Sequence, residues 1–409
     1  MRGDYDVIVV GGGPAGLSLT AMLAARGLAV ACLDRDRPAQ QMQPAFDGRT
    51  TALAAATRDR LAEAGIWDDL AKDACPIHDI RVTDQGAPRK LHFDHHAAGS
   101  PFGWIVENRH LRRALYRRIE VLPQAELLSG VEVTALVADA DAARIKFRRQ
   151  GKIREIRGTL VAGADGRGSF CRRAAGIAWH GQDYWQAALV CTIRHSLPHH
   201  HTAIEDFLPG GPLAALPMQG NRSSIVWTEQ RDAAALLQTM PAHEFCARLE
   251  RHLRMMLGDI ALAGPRFVYP LGIHHAARYT SARLALVGEA AHVMHPIAGQ
   301  GLNLSMRDNR CLADLLAWAK SLGLDCGERE LLARYERARR PDNLLMLAAT
   351  DGLDRLFSNA IPGLAAARQY GLAAVDAMPR AKKFFMRAAM GHWTLTMPRA
   401  ETIGYTTPT

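Results

Sequence analysis

Closely spaced glycines near the N-terminus have the residue types and the spacing needed to hold a dinucleotide. The apolar run from Asp6 to Val10 predicts a buried strand, and glycines follow it at positions 11, 13 and 16. Gly11 permits a tight turn, Gly13 lets the backbone approach a pyrophosphate, and Gly16 lets a helix pack closely on the strand. The stretch therefore predicts a phosphate-binding turn.

The residues after this turn complete a strand–helix–strand unit. Apolar residues from Leu17 to Ala25 predict a helix, and a second apolar run from Leu28 to Leu33 ends on Asp34. The helix N-terminus supplies free N–H groups and partial positive charge for phosphates, and the Asp34 carboxylate is placed to accept hydrogen bonds from a ribose. An ordinary strand–helix–strand unit without a ligand is the alternative interpretation.

Two later segments repeat this combination of a strand end and glycines. Gly163 to Gly166 follows a predicted strand and leaves the Asp165 carboxylate at its end, and Gly288 to Gly301 leads from a strand into a long helix. One dinucleotide lying across the carboxyl ends of a parallel sheet accounts for all three segments. The helix N-terminus near Gly299 to Leu302 is suited to stabilise negative charge on a reduced cofactor ring.

The composition is that of an ordinary globular chain with a moderate positive charge. The 409 residues are 48% hydrophobic and 22% charged, and their net charge is +9. We expect no membrane span, no signal peptide and no nucleic-acid partner, because no long apolar run or nucleic-acid motif is present. The seven cysteines are scattered without a CxxC pair, which favours reduced thiols in the cytoplasm.

Periodicity and turn residues predict the elements that position these segments. We expect a loop over 35–43 and then a helix capped by Thr50 or Thr51 that ends at Gly65. Residues 328–395 have a nearly continuous helical pattern. Further helices are expected over 109–120, 243–257 and 302–321, and strands over 80–83, 90–93, 131–138, 143–149, 160–163 and 284–287.

Histidines occur in several groups, and none matches a known metal-ligand spacing. His92, His95 and His96 lie near the predicted strand over 90–93, and His199–His201 lies in a predicted turn with solvated side chains. His292 is interpreted either as a residue that orients the cofactor site or as a buried histidine with its own partner. We therefore predict no metal site.

The glycine segments and several shorter motifs make the chain resemble the flavin-dependent aromatic hydroxylases of the para-hydroxybenzoate hydroxylase class. Within that class it is similar to the ubiquinone-biosynthesis hydroxylases over nearly its whole length. The family's glycine, DG and GDAAH…P..GQG..L motifs are matched at 11–16, 163–166 and 288–304. The ubiquinone branch also has a Val-Glu-Asn-x-x-Leu segment, here Val106 to Leu111, and a C-terminal pattern that includes 350–353, Arg368, Gly371, Leu372, Pro379, Lys382 and Gly391.

The resemblance implies an α/β fold with a Rossmann-like FAD-binding domain of the GR2 type. A mixed β-sheet substrate domain is inserted in it, and a C-terminal helical region follows. The expected parts are 1–74, 105–179 and 279–340 for FAD binding, 75–104 and 180–278 for the substrate domain, and 341–409 for the C-terminal helices.

The resemblance also assigns FAD as the cofactor and names its contacts. Arg49 is expected near the isoalloxazine to help hold the reduced anion, Pro296 on its oxygen side, and the backbone of Gly299 beside the pyrimidine; these three are assigned to catalysis. The other expected cofactor residues are Gly11, Gly13, Pro14, Ala15, Gly16, Asp34, Arg35, Asn108, Val133, Asp165, Gly288, Glu289, Gln300, Gly301, Leu302 and Asn303.

Three of these assignments have plain structural alternatives. Arg49 is also interpreted as a surface arginine, and Asn108 as a helix cap. Glu289 stands where the family usually has Asp or Asn, and its side chain is one methylene longer. Its alternative role is that of a surface acid at a strand end.

The chemistry implied by the resemblance is oxygen transfer from O2 and reduced flavin to the ring of a polyprenylated phenol in ubiquinone biosynthesis. The flavin performs the difficult step, and the protein orients, shields and tunes it. The expected reductant is NAD(P)H or a ferredoxin-type donor. The substrate is expected between the flavin and the inserted sheet, and candidate lining residues, each of which could equally belong to the core, are Trp185, Phe207, Trp227 and Tyr269.

Location and partners follow from the same resemblance. A cytoplasmic protein is expected, with peripheral contact to the inner membrane and to other quinone-biosynthesis proteins through the helices of 341–393; a packed helical bundle is the alternative. Competing functions are hydroxylation of a soluble aromatic compound, reduction of prenyl chains, and a flavin-binding scaffold role. A halogenase is disfavoured because the WxWxIP signature is absent.

Overall fold

The computed structural model describes residues 4–43, 48–85, 91–358, 368 and 375–391. Positions 90, 371, 372 and 393, which entered the sequence analysis, lie outside these residues. The described part has the expected α/β architecture, with two large sheets, one small sheet and a helical C-terminal region.

The first large sheet carries the glycine segments. In the described residues it has eight strands: β1 (Asp4–Val10), β2 (Val30–Asp34), β8 (Ala125–Ser129), β9 (Glu132–Ala138), β10 (Ala143–Arg149), β11 (Lys152–Gly163), β18 (Thr280–Ser281) and β19 (Leu284–Leu286). The order along the main path is β18-β19-β11-β1-β2-β8, and all pairings from β19 to β8 are parallel. The strands predicted over 131–138 and 143–149 are confirmed and form the antiparallel pair β9–β10.

The second large sheet is the predicted inserted sheet. In the described residues it has nine strands: β5 (Asp79–Asp84), β6 (Leu91–Asp94), β12 (Trp179–His195), β13 (Thr202–Leu208), β14 (Gly211–Met218), β15 (Arg222–Gln230), β16 (Ile260–Leu262), β17 (Phe267–Ala276) and β20 (His292–Val293). It is mixed, because β13 pairs with β5 in parallel and with β14 antiparallel. Strands far apart in the chain thus form one surface.

A small sheet links the two large ones and corrects one prediction. Its strands are β3 (Thr50–Ala54), β4 (Cys75–Ile77) and β7 (Gly103–Glu107). Thr50 and Thr51 are therefore strand residues and not helix caps, because β3 pairs with the distant β7. The Thr50 hydroxyl donates to Ser224 Oγ of β15 at 2.7 Å, which connects the small sheet to the inserted one.

The described helices cover the sheets, and five of them were not predicted from the sequence. One lies within the expected loop 35–43, three lie at 67–70, 95–98 and 170–174, and one precedes the predicted 243–257 helix. The helices are α1 (Pro14–Ala25), α2 (Pro38–Gln41), α3 (Ala55–Glu63), α4 (Trp67–Leu70), α5 (His95–Ala98), α6 (Asn108–Glu120), α7 (Phe170–Ala174), α8 (Arg231–Thr239), α9 (Ala242–Leu257), α10 (Gly301–Ser321), α11 (Arg329–Phe357) and α12 (Pro379–Ala389).

Apolar burial holds these layers together. The largest core cluster joins the central strands of the first sheet to α1, α6 and α10, with Val7, Ile8, Leu17, Leu115 and Leu312 fully buried. All seven cysteines are free and buried, in agreement with the prediction of reduced thiols. Among the described residues, none of the helices combines the length and apolar character needed to span a bilayer.

Candidate active site

The three glycine segments meet at one edge of the first sheet. They follow the carboxyl ends of β1, β11 and β19, which are neighbouring parallel strands. Backbone hydrogen bonds tie these ends together: Gly11 N–H donates to Leu33 O at 2.8 Å and Ala164 N–H to Val10 O at 2.8 Å. The edge opens into a cleft of about 1040 Å³ that continues to the nine-stranded sheet.

The glycines of the first segment have different physical roles. A Cβ on Gly16 would lie 1.9 Å from the carbonyl oxygen of Gly11, so only glycine lets α1 approach β1 at this point. Gly11 has a φ of 107° and no room for a side chain. Gly13 lines the cleft, and a Cβ there would meet no protein atom within 4 Å. Its open space therefore belongs to the cleft.

Asp34 lies in the cleft wall at the end of β2, as predicted. Its carboxylate accepts hydrogen bonds from the Asp36 N–H at 3.2 Å and from Gln41 Nε2 at 2.8 Å. Burial raises the pKa of Asp34 above its ordinary value, although these two hydrogen bonds oppose the shift. A ribose hydroxyl would supply the further hydrogen bond that such a carboxylate can accept.

The second segment folds its acid back onto the protein. The Asp165 carboxylate accepts from Ser169 Oγ at 2.5 Å and from the Cys171 N–H at 3.0 Å, while Asp165 also lines the cleft. Arg172 then donates to the carbonyl of Ala290 at 2.9 Å. This contact fixes the second segment against the third.

The third segment is held in place by polar side chains. Asn303 Nδ2 donates to Ala52 O at 2.8 Å, and Asn303 Oδ1 accepts from the Ala54 N–H at 2.9 Å, so α10 is clamped to β3. Gly299 lies in the left-handed region with a φ of 61°, which favours glycine. The lining of the cleft at this point is formed by Pro296, Gly299, Gln300, Gly301, Leu302 and Asn303.

The structure brings almost all of the predicted site residues into the cleft lining. Gly16 and Gly288 are the exceptions, since both lie behind the wall; the Gly288 N–H donates to Asp308 Oδ2 at 3.2 Å. Arg49 is exposed, and its guanidinium lies 5.2 Å from the ring centre of Tyr269. The other predicted residues that line the cleft are Gly11, Pro14, Ala15, Arg35, Asn108, Val133 and Glu289.

Asn108 and Glu289 differ in their surroundings. Asn108 is buried at the first position of α6, and its Oδ1 accepts from Thr51 Oγ1 at 2.6 Å. It therefore lies inside the helix and is not the N-cap, which is Glu107. Glu289 is exposed in the turn after β19.

These residues fit a dinucleotide. The N-terminus of α1 has no side-chain cap, so its N–H groups are available at the cleft beside the open space at Gly13. Asp34 supplies a ribose acceptor at the neighbouring strand end. The cleft volume also reaches the upper end of the range of about 300–1,000 Å³ that is common for cofactor sites.

None of the four candidate aromatic residues is part of the cleft lining, and the alternative of a core position holds for Phe207 and Trp227. Trp185 is 84% exposed and lines a different cavity, of about 620 Å³. Phe207 and Trp227 are buried in core clusters, and Tyr269 packs near Phe267. The alternation of apolar and polar residues along these strands did not reveal which face of the inserted sheet lines the cleft. The residues that the inserted sheet contributes to the cleft are Ile80, Ala203, Glu205, Pro212, Ala214, Leu216, Val226 and Thr228.

Several residues of the cleft lining were not predicted from the sequence, among them Arg112 and Glu205. Arg112, which stands in a basic cluster of the sequence, is 3% exposed and lines the cleft near Gln41. Glu205 lies on β13 and faces the cleft. The position of Arg112 on its helix, close to the apolar Leu111 and Leu115, was a signal that Arg112 is buried. No local feature of the sequence marks Glu205 as a cleft residue.

The histidines have structural partners. His292 Nε2 lies 2.6 Å from Asp308 Oδ2 in the core, and His92 Nε2 lies 2.6 Å from Asp79 Oδ1. The prediction of a solvated turn is wrong for His199, whose Nε2 lies 2.8 Å from Met218 O. Asp94, His95 and His96 place one potential ligand atom each within 4.8 Å of one another.

Comparison with known proteins identifies the family. Residues 4–349 match the family described as FAD binding domain. The chain is 48% identical over 386 residues to the ubiquinone hydroxylase UbiL of Rhodospirillum rubrum, covering 94% of this chain and 89% of that protein. It is 33% identical to the 3-demethoxyubiquinol 3-hydroxylase of Escherichia coli, covering 94% of this chain and 98% of that protein.

Solved structures show the same fold. The p-nitrophenol 4-monooxygenase PnpA of Pseudomonas putida superposes with a TM-score of 0.82 at 19% identity, covering 97% of this chain and 100% of that chain. PqsL of Pseudomonas aeruginosa superposes with a TM-score of 0.75 at 23% identity, covering 92% of this chain and 100% of that chain. The chain belongs to the FAD-binding monooxygenase family that includes the ubiquinone hydroxylases.

Proposed function

We propose that this protein hydroxylates the aromatic ring of a polyprenylated phenol in ubiquinone biosynthesis, with FAD and O2 as cofactor and co-substrate. The observation that carries the proposal is one continuous cleft, which leads from the three glycine segments to an apolar wall of the inserted sheet. Such a wall suits a ring that bears an isoprenoid chain. The similarity to a ubiquinone hydroxylase over 94% of the chain supports this substrate class.

We assign the cofactor contacts to the residues expected from the sequence that line the cleft. The pyrophosphate is assigned to the α1 N-terminus at Gly13, and the ribose to Asp34. Arg112, on the same side of the cleft, supplies a buried positive charge for the phosphates. The isoalloxazine is assigned to the space between Arg49 and the Pro296–Leu302 segment.

The protein's part in the reaction is to orient and to shield. Bound FAD, once reduced, supplies the oxygen-transfer chemistry. The backbone N–H groups at the α10 N-terminus are suited to stabilise negative charge on the reduced ring. The apolar side chains of the inserted sheet keep water from the reacting carbon. We assign residues 75–104 and 180–278 to substrate binding, because they supply nearly all of this sheet.

The reductant is assigned to one of two classes, NAD(P)H or a ferredoxin-type donor. Mixing the oxidised protein with NADPH, NADH or reduced ferredoxin in the absence of O2 separates them, because the productive donor bleaches the flavin absorbance. Phenol substrate is added in a parallel set, since ring binding is expected to accelerate productive reduction.

Peripheral membrane contact is assigned to α12. Phe384 and Phe385 are 48% and 46% exposed, and Arg380, Lys383 and Arg387 are exposed on the same helix. This combination is typical of a helix that lies at an anionic membrane surface. The opposite side of α12 buries Met386 and Met390 in a cluster with Phe102 and Ala203, which line the cleft. A lipid-soluble substrate would enter beside this helix.

Mass spectrometry of the quinone intermediates in a strain that lacks the protein tests the function. We expect a prenylated phenol that lacks one ring oxygen to accumulate, and its structure identifies the hydroxylated carbon. Complementation with the unaltered chain should restore the quinone, whereas Gly13→Glu should not. An unchanged quinone pool without such an intermediate would instead favour a soluble aromatic substrate or a scaffold role.

A further inference from the structure

One carboxyl group stands on the apolar wall of the cleft. Alternate residues of β13 point to the same face of the sheet, so Ala203, Glu205 and Phe207 share one side. Ala203 belongs to an apolar cluster with Phe102, and the Phe207 ring stacks on Phe357 with ring centres 4.1 Å apart. Glu205 is therefore placed between two apolar contacts, facing the cleft.

The residues paired with Glu205 on the two neighbouring strands are apolar. Its register partners are Val82 on β5 and Ala214 on β14, and Ala214 is in turn paired with Val226 on β15. Among the described residues of the inserted sheet that line the cleft, Glu205 alone is ionisable. The other charged residues of the lining belong to the cofactor-side segments, as Arg49 and Glu289 do.

The acids nearest to Glu205 in the sheet have partners of their own. Asp84, at the end of β5, accepts from Arg368 Nε at 3.1 Å. The adjacent Asp206 faces the other side of the sheet and accepts from Thr83 Oγ1 at 2.6 Å. Burial raises the pKa of Glu205 to about 7, and no hydrogen bond or charge from the described residues opposes this shift. Its position is costly for the fold, which is typical of groups kept for binding or catalysis.

We propose that the Glu205 carboxylate receives the ring hydroxyl of the phenol substrate and takes its proton before oxygen is transferred to the ring. The proposal rests on the proposed function and names a catalytic residue within it. The O–H bond of the phenol breaks and an O–H bond forms on the carboxylate, while the electron pair stays on the phenol oxygen. After oxygen insertion the ring loses its C–H proton to water, and Glu205 returns its proton to the original ring oxygen.

The chemistry of the ring explains why a base belongs at this point. A phenolate is more electron-rich than a phenol at the carbons beside and opposite its oxygen, which are the carbons that accept an electrophilic oxygen atom. A general base works best when its pKa lies near the working pH, and burial brings Glu205 into that range. A single ionisable group on this mostly apolar wall also determines which end of a prenylated phenol turns inward.

The test compares Glu205→Gln with a matched control in the FAD-loaded protein. Glu229→Gln is the control, because Glu229 is a half-buried acid of the same sheet whose pKa burial also raises, yet it lies outside the cleft lining. With a short-chain prenylated phenol as substrate, Glu205→Gln should lower kcat/KM by on the order of 10²-fold. Glu229→Gln should keep the kcat/KM of the unaltered protein.

The pH profile separates a base from a structural residue. Glu205 must be ionised to accept a proton, so kcat/KM of the unaltered protein should fall as the pH drops through about 7. Glu205→Gln should lose this limb of the profile. A ring-fluorinated phenol, whose hydroxyl ionises more readily, should recover much of the lost rate. The same limb in both proteins, or no recovery with the fluorinated phenol, would overturn the proposal.

A binding measurement keeps the two proposals distinguishable. A phenolate absorbs at longer wavelength than the phenol, so ionisation of a bound phenol is visible without turnover. At pH 7 the unaltered protein should ionise a larger fraction of the bound fluorinated phenol than Glu205→Gln does. If no prenylated phenol is hydroxylated but the shift is larger with Glu205, the proposed function fails and the base stands; an equal shift in both proteins overturns the base alone.

Discussion

Nε2 of His292 lies 2.6 Å from Oδ2 of Asp308, in the core beneath the third glycine segment. The same carboxylate accepts from Arg339 Nε at 2.9 Å and from the Gly288 N–H at 3.2 Å. The motif histidine thus has a buried partner of its own, which confirms one of the two interpretations of His292. This network connects the third segment to α10 and α11.

Replacing Asp308 with Asn should destabilise the protein by up to about 3–5 kcal/mol, because the buried Arg339 keeps Asp342 but loses the other of its two carboxylate partners. Asp314→Asn is the matched control on α10, since Asp314 forms exposed ion pairs that contribute about 1 kcal/mol or less. Urea unfolding of both variants measures the difference. Equal losses would show that the network does not hold the core.

The pH dependence of stability follows from the same carboxylate. Burial alone would raise the pKa of Asp308, but the charges and hydrogen bonds of His292 and Arg339 outweigh it and hold the pKa well below its ordinary range. Its stabilisation is therefore complete above the unfolded pKa of about 4 and is lost progressively as the pH falls below that value. Thermal unfolding at acidic pH should show a steeper loss for the unaltered protein than for Asp308→Asn.

Gly13→Glu should abolish retention of FAD, because a carboxylate would occupy the space assigned to the pyrophosphate. Gly264→Glu is the matched control: a Cβ at either glycine meets no protein atom within 4 Å, but Gly264 does not line the cleft. The flavin absorbance of each purified protein, per mole of chain, is the measurement. Full flavin content in Gly13→Glu would contradict the assignment of the first segment.

Gly16→Ala should act on the fold and not primarily on the cofactor. Its Cβ would lie 1.9 Å from Gly11 O, so α1 must shift away from β1, at a cost of about 1–3 kcal/mol. Gly13→Ala meets no protein atom and should leave the melting temperature of the cofactor-free protein unchanged. Equal melting temperatures for both alanine variants would contradict this division of roles.

Phe385→Asp should weaken binding to anionic vesicles, because it replaces exposed apolar surface on α12 with a negative charge. Leu236→Asp is the control, since Leu236 is 67% exposed on α8, which belongs to a different part of the surface. Flotation with vesicles of phosphatidylglycerol and phosphatidylcholine measures binding, and added salt should weaken it. Equal flotation of both variants would argue against α12 as the contact.

The sequence was most informative where function depends on consecutive residues. The turn at Gly11–Gly16, the acid at Asp34 and the loop before α10 each combine a local motif with a strand or helix end, and all lie together in the structure. Because the carboxyl ends of parallel strands share one edge of a sheet, motifs that follow such strands in the sequence can be predicted to lie together.

The sequence was least informative where pairing is nonlocal. Thr50 and Thr51 have the residue type of helix caps, yet the pairing of β3 with the distant β7 decides their conformation. Arg112 was not among the predicted site residues, although its helix turns it toward the cleft. Phe207 and Glu205 lie on the same face of β13, so the strand pattern does not distinguish them. Only the three-dimensional arrangement shows that Glu205 lines the cleft, while the Phe207 ring packs elsewhere, against Phe357.

Because every cysteine is buried, the rate at which each thiol is labelled reports local unfolding around it. Burial raises the pKa of the Cys32 and Cys311 thiols to about 12 and that of Cys75 to about 11, so the reactive thiolate is scarce in the folded state. A thiol reagent can label these positions only when the surrounding layer unfolds transiently. Because Cys32 and Cys311 lie in the first core and Cys191 and Cys246 in the second, site-resolved labelling rates would time the opening of the two halves separately.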